Sequence, residues 1–356
     1  MNIYHTRIKN LRKSFQKAGV DTLLVSKPEN IFYLSGFRGC DSYLVVTLHD
    51  TYILTDSRYE NELRQSTIAC KILVLSKDMS LADLMNGLMK KKRLKSVGFE
   101  PAHIAYYQYR HFNKFLKTKK LKPCFRIVEN LRIIKDASEI KAIKRAITIA
   151  ERSLYCVSRV YFSKRYREKD LGDYLEYTMK KKGADGVSFP AIVATGTRSA
   201  FPHAVSGRAH IKRNSILLID FGAKKDGYCS DLTRTFFLGT ITPRFKLIYS
   251  LVCEAQHLAI DSIKVGERIS SVDKKVRLFF KKNKVDQYFN HALGHGIGLD
   301  VHESPSLIYS SNERFTENMV FTVEPGLYFN TWGGIRIEDM VRVTSSGCER
   351  LTHYPH

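Results

Sequence analysis

Two aspartates eleven positions apart, Asp220 and Asp231, are the first residues whose spacing suggests chemistry. Asp220 ends an apolar run, so we expect it to be buried, and Asp226-Gly227 predicts a turn between two strands. In a simple hairpin the two carboxylates face each other, with Cβ atoms about 4.5–5.5 Å apart. Two buried carboxylates this close repel, unless one takes up a proton or a divalent cation neutralises both. An ion pair with a neighbour such as Arg234 is the alternative for either aspartate alone.

A second pair of predicted strands carries two more carboxylates. Glu324 ends the apolar strand predicted at 319–324, and Glu338 lies in the strand predicted at 335–343. Alternation along this second strand places Arg336 and Glu338 on one face. Four acids carried by apolar strands are typical of a site, although an ordinary ion pair remains the alternative for either glutamate alone.

A histidine in a glycine-rich segment could complete a metal site. His295 is flanked by Gly294 and Gly296, so the backbone there can approach another chain segment closely. Four carboxylates and one imidazole suit two metal ions, with Mn²⁺ or Fe²⁺ favoured by the oxygen ligands and Co²⁺ or Zn²⁺ compatible with the imidazole. Two ions about 3.5–4 Å apart can share a bridging water, lower its pKa and polarise a carbonyl.

The elements that must position these residues fall into two α/β regions. Short apolar strands alternate with amphipathic helices over the first 128 residues, which predicts a small α/β domain at 1–128. A capping-box pattern at 136–139 then opens a long helix of a second domain at 129–356. In this domain blocks of helices followed by strands occur twice, which suggests a duplicated unit.

Composition restricts the class of protein. Hydrophobic residues make up 44% of the chain and charged residues 26%, as in globular proteins. The net charge of +23 raises the prior for nucleic-acid binding, but the lysines are scattered and no nucleic-acid motif accompanies them. Seven cysteines without a CxxC pair indicate a reducing compartment. With no apolar signal segment and no apolar run of about 18 residues, we expect a cytoplasmic protein without membrane contact.

The order of these residues resembles the ligand set of the pita-bread metallopeptidases. The matching segments are the two aspartates, Gly-His-Gly around His295, Thr-Val-Glu-Pro-Gly around Glu324 and Ile-Arg-Ile-Glu-Asp around Glu338. That family includes methionine aminopeptidase, Xaa-Pro aminopeptidase, Xaa-Pro dipeptidase and the metal-free creatinase. The resemblance covers the whole chain. It implies a creatinase-type α/β N-terminal domain and an α+β pita-bread catalytic domain with a pseudo-twofold repeat.

The resemblance also implies a role for each site residue. Asp231 and Glu338 would bridge two divalent metal ions, preferably Mn²⁺. Asp220 would bind one ion, and His295 and Glu324 the other. The remaining roles are proton transfer and substrate contact: Glu324 as proton shuttle, His203 and His302 as catalytic donors in the substrate site, His291 as a further lining residue and Arg336 as a support for Asp231 or a neighbouring carboxylate.

The resemblance leaves the exact reaction open. The N-terminal domain argues against a simple methionine aminopeptidase, and the intact ligands argue against a creatinase. We expect an Xaa-Pro aminopeptidase acting on proline-containing peptides as a homodimer, and Xaa-Pro dipeptidase, or prolidase, is the alternative. A third hypothesis is a non-catalytic relative that binds nucleic acid or protein, but such relatives lose metal ligands and this chain keeps all five.

Overall fold

The computed structural model describes residues 3–65, 70–76, 78–117, 120–161 and 166–356. The chain divides into two compact units, Met1–Arg132 and Ile133–His356. The domain boundary between residues 128 and 129 remains a prediction. Within the described ranges, no helix combines the length and the apolar character needed to cross a membrane.

The first unit alternates strands and helices, as its sequence predicts. Its elements are α1 Ile3–Lys13, α2 Phe15–Ala18, β1 Thr22–Val25, α3 Pro28–Ser35, β2 Tyr43–Thr47, β3 Thr51–Thr55, α4 Ser57–Gln65, β4 Lys71–Val74, α5 Leu81–Lys92, β5 Ser96–Phe99, α6 Tyr106–Phe115, β6 Lys120–Pro123 and α7 Glu129–Arg132.

The strands of this unit form one mixed sheet in the order β4-β3-β2-β1-β5-β6. Strands β2 and β3 form a hairpin, because they pair antiparallel on either side of a turn that includes Asp50. The β1–β5, β5–β6 and β3–β4 pairs are parallel. Helices α5 and α6 cover part of the sheet, where Leu24 and Val45 of the sheet belong to the same buried cluster as Met85 and Phe112 of the helices.

The second unit contains two successive blocks, each a helix pair followed by strands. Its elements are α8 Ala137–Tyr161, α9 Glu168–Lys181, β7 Gly186–Thr195, a 3₁₀ turn Gly196–Ala200, β8 Ser215–Lys225, β9 Tyr228–Cys229, β10 Leu232–Leu238, α10 Pro243–Ser262, α11 Ile269–Lys282, a 3₁₀ turn Asp286–Tyr288, β11 Gly294–Gly296, β12 Glu303–Leu307, β13 Val320–Val323, β14 Gly326–Phe329, β15 Gly333–Arg336, β16 Asp339–Thr344 and β17 Gly347–Arg350.

Each block of this unit has its own core. In the first, α8 and α9 pack on the sheet β10-β8-β7, and β9 pairs with β8. In the second, α10 and α11 pack on the sheet β12-β11-β13-β16-β17, and β14 and β15 form a separate two-stranded ribbon. The repeated helix-pair-and-sheet arrangement agrees with the predicted pseudo-twofold organisation.

Helix α10 matters for the site because it packs behind the strands that carry the two glutamates. The Thr242 hydroxyl accepts a hydrogen bond from the amide of Phe245 at 3.2 Å and caps the helix at its N-terminus. Val252, Ala255 and Ala259 lie at helical spacing and are fully buried. Gln256 lies within this apolar stripe and is also fully buried.

Candidate metal centre

The β8–β10 hairpin carries the two aspartates, but in a different register from the predicted one. Asp226 and Gly227 form its two-residue turn with φ values of 52° and 85°, a pair of positive values that Asp-Gly adopts readily. Asp220 therefore pairs with Thr233, and the expectation that it directly faces Asp231 is wrong. Asp231 lies diagonal to Asp220. Because side chains two positions apart share a face, both carboxylates remain on the same face of the sheet.

His295 lies on β11, where the flanking glycines permit a close approach of neighbouring strands. A Cβ atom on Gly294 would lie 2.0 Å from the carbonyl oxygen of Thr322. A Cβ atom on Gly296 would lie 2.5 Å from the carbonyl oxygen of Ser304. The predicted close backbone approach is thus confirmed, and it positions the imidazole: the His295 amide donates to the Thr322 hydroxyl at 3.1 Å.

The β13–β16 pair brings the two glutamates to the same end of a sheet. Val323 pairs with Asp339, and continuing this antiparallel register by one position brings Glu324 beside Glu338. Glu338 is 2% exposed. Both glutamates therefore come from positions just beyond the regular ladder, where a side chain can turn toward a shared site.

The predicted ligands gather around the His295 imidazole. Its Nε2 lies 3.4 Å from Oε1 of Glu324 and 3.7 Å from Oδ2 of Asp231. One ligand atom each from Asp231, His295 and Glu338 lie within 4.8 Å of one another. Ligand atoms grouped in this way could hold a metal ion. Asp220 joins the group electrostatically, as the pKa shifts of its neighbours indicate.

The buried carboxylates repel one another strongly. Burial, followed by the charges of Glu338, Asp220 and Glu324, raises the pKa of Asp231 well above its usual range. Burial and the charges of Glu324 and Asp220 likewise raise the pKa of Glu338 well above its usual range. Burial raises the pKa of Glu324 to about 7. Such a cluster is costly when ionised, and bound divalent cations would remove that cost.

Two buried oxygens identify where cations fit. Oδ1 of Asp220 and Oδ1 of Asp231 have no hydrogen-bond partner within the described part of the chain. Buried polar atoms are normally satisfied, so an unpaired carboxylate oxygen in a cluster of acids is most simply explained as a metal ligand. The donor set of carboxylate oxygens and one imidazole nitrogen suits divalent metals of the Mn²⁺ to Zn²⁺ series.

Arg336 supports the carboxylates from behind. Its Nη2 donates to Oδ2 of Asp220 at 2.6 Å, its Nη1 to the Tyr328 hydroxyl at 2.9 Å and its Nε to the Thr233 hydroxyl at 3.2 Å. Thr233 in turn donates to Oε2 of Glu338 at 2.7 Å. Arg336 thus holds Asp220 directly and Glu338 through Thr233.

His291 has both ring nitrogens engaged. Its Nδ1 lies 2.7 Å from the carbonyl oxygen of Ala292, so Nδ1 carries the proton and donates. Its Nε2 lies 3.0 Å from the Tyr328 hydroxyl and accepts from it. Burial, together with the charge of Arg336, lowers the pKa of His291 to about 4. The ring is therefore neutral near pH 7 and supports Tyr328.

His302 and His203 are exposed, unlike His291. The His302 ring centroid lies 4.3 Å from that of His295, so His302 borders the metal centre. Burial of part of the ring and the charges of nearby groups, including His295 and His203, lower the pKa of His302. His203 follows the 3₁₀ turn that leaves β7.

A buried ion pair between Lys135 and Glu303 stabilises the backbone on both sides of His302. Lys135 Nζ lies 3.1 Å from Oε2 of Glu303, and the two side chains are 1% and 6% exposed. Oε1 of Glu303 accepts from the amides of Leu299 and Asp300 at 2.8 and 3.1 Å. Glu303 follows His302 in the chain, so these contacts restrict where the His302 backbone can lie.

Several polar residues that orient the candidate ligands were not predicted from the sequence. Thr233 follows Asp231 by two positions, and Thr322 precedes Glu324 by two positions with its hydroxyl 3.3 Å from Oε1 of that glutamate. The two-residue period of a strand places each threonine on the face of its acid, and this signal was available. Tyr328 gave no comparable signal, because its contacts with Arg336 and with the more distant His291 depend on how the β14–β15 ribbon folds and packs.

Comparison with known proteins agrees with this geometry. Residues 141–345 match the model of metallopeptidase family M24, and residues 7–134 match the creatinase/prolidase N-terminal domain. The Xaa-Pro dipeptidase of Pyrococcus horikoshii is 32% identical over 354 residues, which cover 99% of this chain and 98% of that protein.

Solved structures give the same result. The Xaa-Pro dipeptidase from Bacillus anthracis superposes with a TM-score of 0.94 at 33% identity, over 99% of this chain and 98% of that one. The X-Pro aminopeptidase from Thermotoga maritima gives a TM-score of 0.89 at 34% identity, over 96% and 98%. With both domain models matched and the fold shared over nearly its whole length, the chain belongs to metallopeptidase family M24, the pita-bread family with a creatinase-type N-terminal domain.

Proposed function

We propose that the chain is a dinuclear-metal Xaa-Pro dipeptidase, which hydrolyses the peptide bond between any first residue and a C-terminal proline. The observation that carries the proposal is the buried group of Asp231, His295 and Glu338, with Glu324 3.4 Å from the imidazole. Within family M24, a site of this composition supports a hydrolase rather than a binding protein.

The choice of substrate departs from the expectation formed on the sequence. The sequence led us to expect an Xaa-Pro aminopeptidase, whereas the relatives from Pyrococcus horikoshii and Bacillus anthracis are named as Xaa-Pro dipeptidases. Xaa-Pro aminopeptidase remains the second candidate, because the similar structure from Thermotoga maritima carries that name at 34% identity.

The metal ligands are proposed residue by residue. Asp231 and Glu338 would be shared between two divalent ions, Asp220 would complete one site, and His295 and Glu324 would complete the other. Bound there, the ions supply Lewis acidity and lower the pKa of a coordinated water. We propose Mn²⁺ as the preferred metal, with Co²⁺, Fe²⁺ and Zn²⁺ as alternatives that reconstitution would rank.

The protein's own groups are proposed to handle protons and charge. Glu324, a carboxylate beside the coordinated water, is suited to accept a proton from that water and pass it to the leaving proline nitrogen. His302 and His203 donate hydrogen bonds to the substrate carbonyl, which gains negative charge as the bond breaks. His291, neutral near pH 7, supports Tyr328 and Arg336 rather than the substrate.

Selectivity for proline is consistent with the need for a dedicated enzyme. An Xaa-Pro bond is a tertiary amide without an N–H group, and the ring fixes the backbone dihedral angle φ. A site that requires a donor at this position rejects proline, so hydrolysis of the bond requires a pocket shaped for the ring.

The deciding experiment compares matched peptides on the metal-reconstituted protein. Ala-Pro, Ala-Pro-Ala and Ala-Ala should be assayed under identical conditions, with Asp231→Asn as the inactive control. We expect hydrolysis of Ala-Pro to be fastest and that of Ala-Ala to be slowest. Preferential release of alanine from Ala-Pro-Ala would favour the aminopeptidase, and metal binding without hydrolysis of any peptide would favour a binding role.

Two further properties are proposed from the family resemblance. We propose a homodimer, which light scattering coupled to size-exclusion chromatography would measure. We also propose a cytoplasmic location without membrane contact and expect no specific nucleic-acid binding, despite the net charge of +23. Sedimentation with a labelled single-stranded RNA at physiological salt would test the last point.

A further inference from the structure

Gln256 on α10 makes a contact that the proposed reaction does not use directly. Its Nε2 donates to the carbonyl oxygen of Val323 at 3.2 Å and to that of Ile337 at 3.3 Å. Val323 precedes Glu324, and Ile337 precedes Glu338. A single side-chain amide therefore joins the two backbone positions from which two proposed metal ligands project.

The backbone at the glutamates needs such a connection. Regular pairing between β13 and β16 ends at the Val323–Asp339 pair. Beyond this pair, the Glu324 amide donates to the carbonyl oxygen of Leu293 at 2.9 Å. The Glu338 amide donates to the carbonyl oxygen of Thr233 at 3.1 Å. These bonds tie each glutamate to a different neighbouring segment rather than to the other glutamate.

The chain also makes a long excursion between these two points. After β13 it forms the β14–β15 ribbon and returns to β16 only after Ile337. Gln256 lies at the base of this excursion and joins its outgoing and returning ends. The Ile337 amide adds a weaker bond of 3.4 Å to the carbonyl oxygen of Pro325.

The surroundings of Gln256 argue against a simple packing role. It is fully buried beside Val252, Ala255 and Ala259, which are apolar and fully buried. Its Oε1 has no hydrogen-bond partner within the described part of the chain. A buried amide with an unpaired acceptor is less favourable than an apolar side chain of the same length, so packing alone gives no reason for a glutamine here.

We propose that Gln256 is a positioning residue that fixes the spacing between Glu324 and Glu338 and thereby sets the affinity for the metal ion held by His295 and Glu324. The inference rests on the ligand assignment of the proposed function and not on the choice of peptide substrate. It requires only the two amide bonds and the ligands that follow them. Glu338 is also held by Thr233 through its side chain and its amide, so the ion that Glu324 does not contact depends on Gln256 less.

The main test uses Gln256→Met, which keeps the side-chain length and removes both donors. Titration calorimetry and metal analysis with Mn²⁺ on the full-length metal-depleted protein should show at least tenfold weaker binding of one ion, whereas the other ion is bound nearly as in the wild type. Val252→Ala is the matched control, because Val252 lies one turn away on the same buried face of α10 and its side chain has no hydrogen-bond donor.

The control separates positioning from general destabilisation. Val252→Ala should lower the melting temperature and keep the wild-type affinity for both ions. Wild-type affinity in Gln256→Met would overturn the inference, as would an equal loss of affinity in Val252→Ala.

A second variant covers the case in which Gln256→Met does not fold. Gln256→Glu keeps the shape but provides at most one donor, and when ionised it repels both carbonyl oxygens. We expect this variant also to weaken the binding of one ion selectively, and unchanged binding of both ions would count against the inference. Failure of the wild-type protein to bind two ions would instead refute the ligand assignment itself.

Discussion

Arg336 binds only one of the two oxygens of Asp220: its Nη2 lies 2.6 Å from Oδ2, whereas Oδ1 is buried without a hydrogen-bond partner in the described residues. The guanidinium thus orients the carboxylate and leaves its second oxygen available for a cation. Through Thr233, the same guanidinium also fixes one oxygen of Glu338. The Arg336 guanidinium therefore aligns carboxylates from the two larger sheets of the second unit.

Replacement of this guanidinium should weaken metal binding without removing a ligand. Arg336→Lys keeps the charge but cannot donate simultaneously to Asp220, Tyr328 and Thr233. We expect a 10–100-fold loss of Mn²⁺ affinity by calorimetry. Arg342→Lys on β16 is the control, since Arg342 bonds Asn318 and Glu349 instead. Equal metal affinity in the wild type and Arg336→Lys would contradict this account.

Asp231→Asn should lose most bound metal, because a bridging ligand serves both ions. The change is nearly isosteric and removes a negative charge from a crowded buried group, so the fold should survive. Metal analysis and circular dichroism on the reconstituted variant measure the two effects separately. Full metal content with full activity would rule out Asp231 as a ligand.

His295→Ala should impair metal binding, whereas His302→Ala should impair turnover. His295→Ala should reduce metal occupancy, because the imidazole is a proposed ligand. His302→Ala should bind metal normally but turn over about 10²–10³-fold more slowly, because a donor to the reacting carbonyl is lost. If His302 serves only packing, its variant would melt at a lower temperature and the folded fraction would keep normal turnover.

Glu324 should destabilise the folded, metal-free protein to an extent that depends on pH. Its pKa is raised from the usual 4.5 to about 7 in the folded state. Between these values the unfolded chain releases the proton and the folded protein keeps it, so stability falls as pH rises. The shift corresponds to a loss of about 3 kcal/mol in the free energy of unfolding, and this loss is complete above pH 7.

The measurement compares urea unfolding of metal-depleted wild type and Glu324→Gln at pH 4.5 and pH 8. The wild type should lose stability relative to the variant as pH rises, and excess Mn²⁺ should restore it at pH 8. A stability difference that is the same at both pH values would mean that Glu324 ionises normally in the folded protein.

The residues proposed as ligands could be singled out from the sequence because they lie in short local patterns. Asp220 ends an apolar strand and His295 lies between two glycines, and both patterns can be recognised from neighbours in sequence. The hairpin was predicted as well, but its register was wrong by two residues, since the turn is centred between Asp226 and Gly227 rather than before Asp226. A turn that needs positive φ at both central residues fixes this centre.

The supporting contacts were less accessible to sequence reasoning. The partners of Tyr328 and Gln256 follow only from how α10, β13 and the β14–β15 ribbon fold and pack. Gln256 did carry one sign, a polar residue within an apolar helical stripe. Which carbonyls it would meet depended on tertiary structure.

The proposed ligands are distributed along the second unit, from Asp220 on β8 to Glu338 just before β16. During synthesis the chain emerges from its N-terminus, so a nascent polypeptide that stops before residue 338 lacks one of the proposed bridging carboxylates. Such a chain cannot complete the metal centre, whatever the metal supply. Peptide hydrolysis therefore requires synthesis of the chain as far as Glu338, and an incompletely synthesised chain cannot hydrolyse nearby peptides.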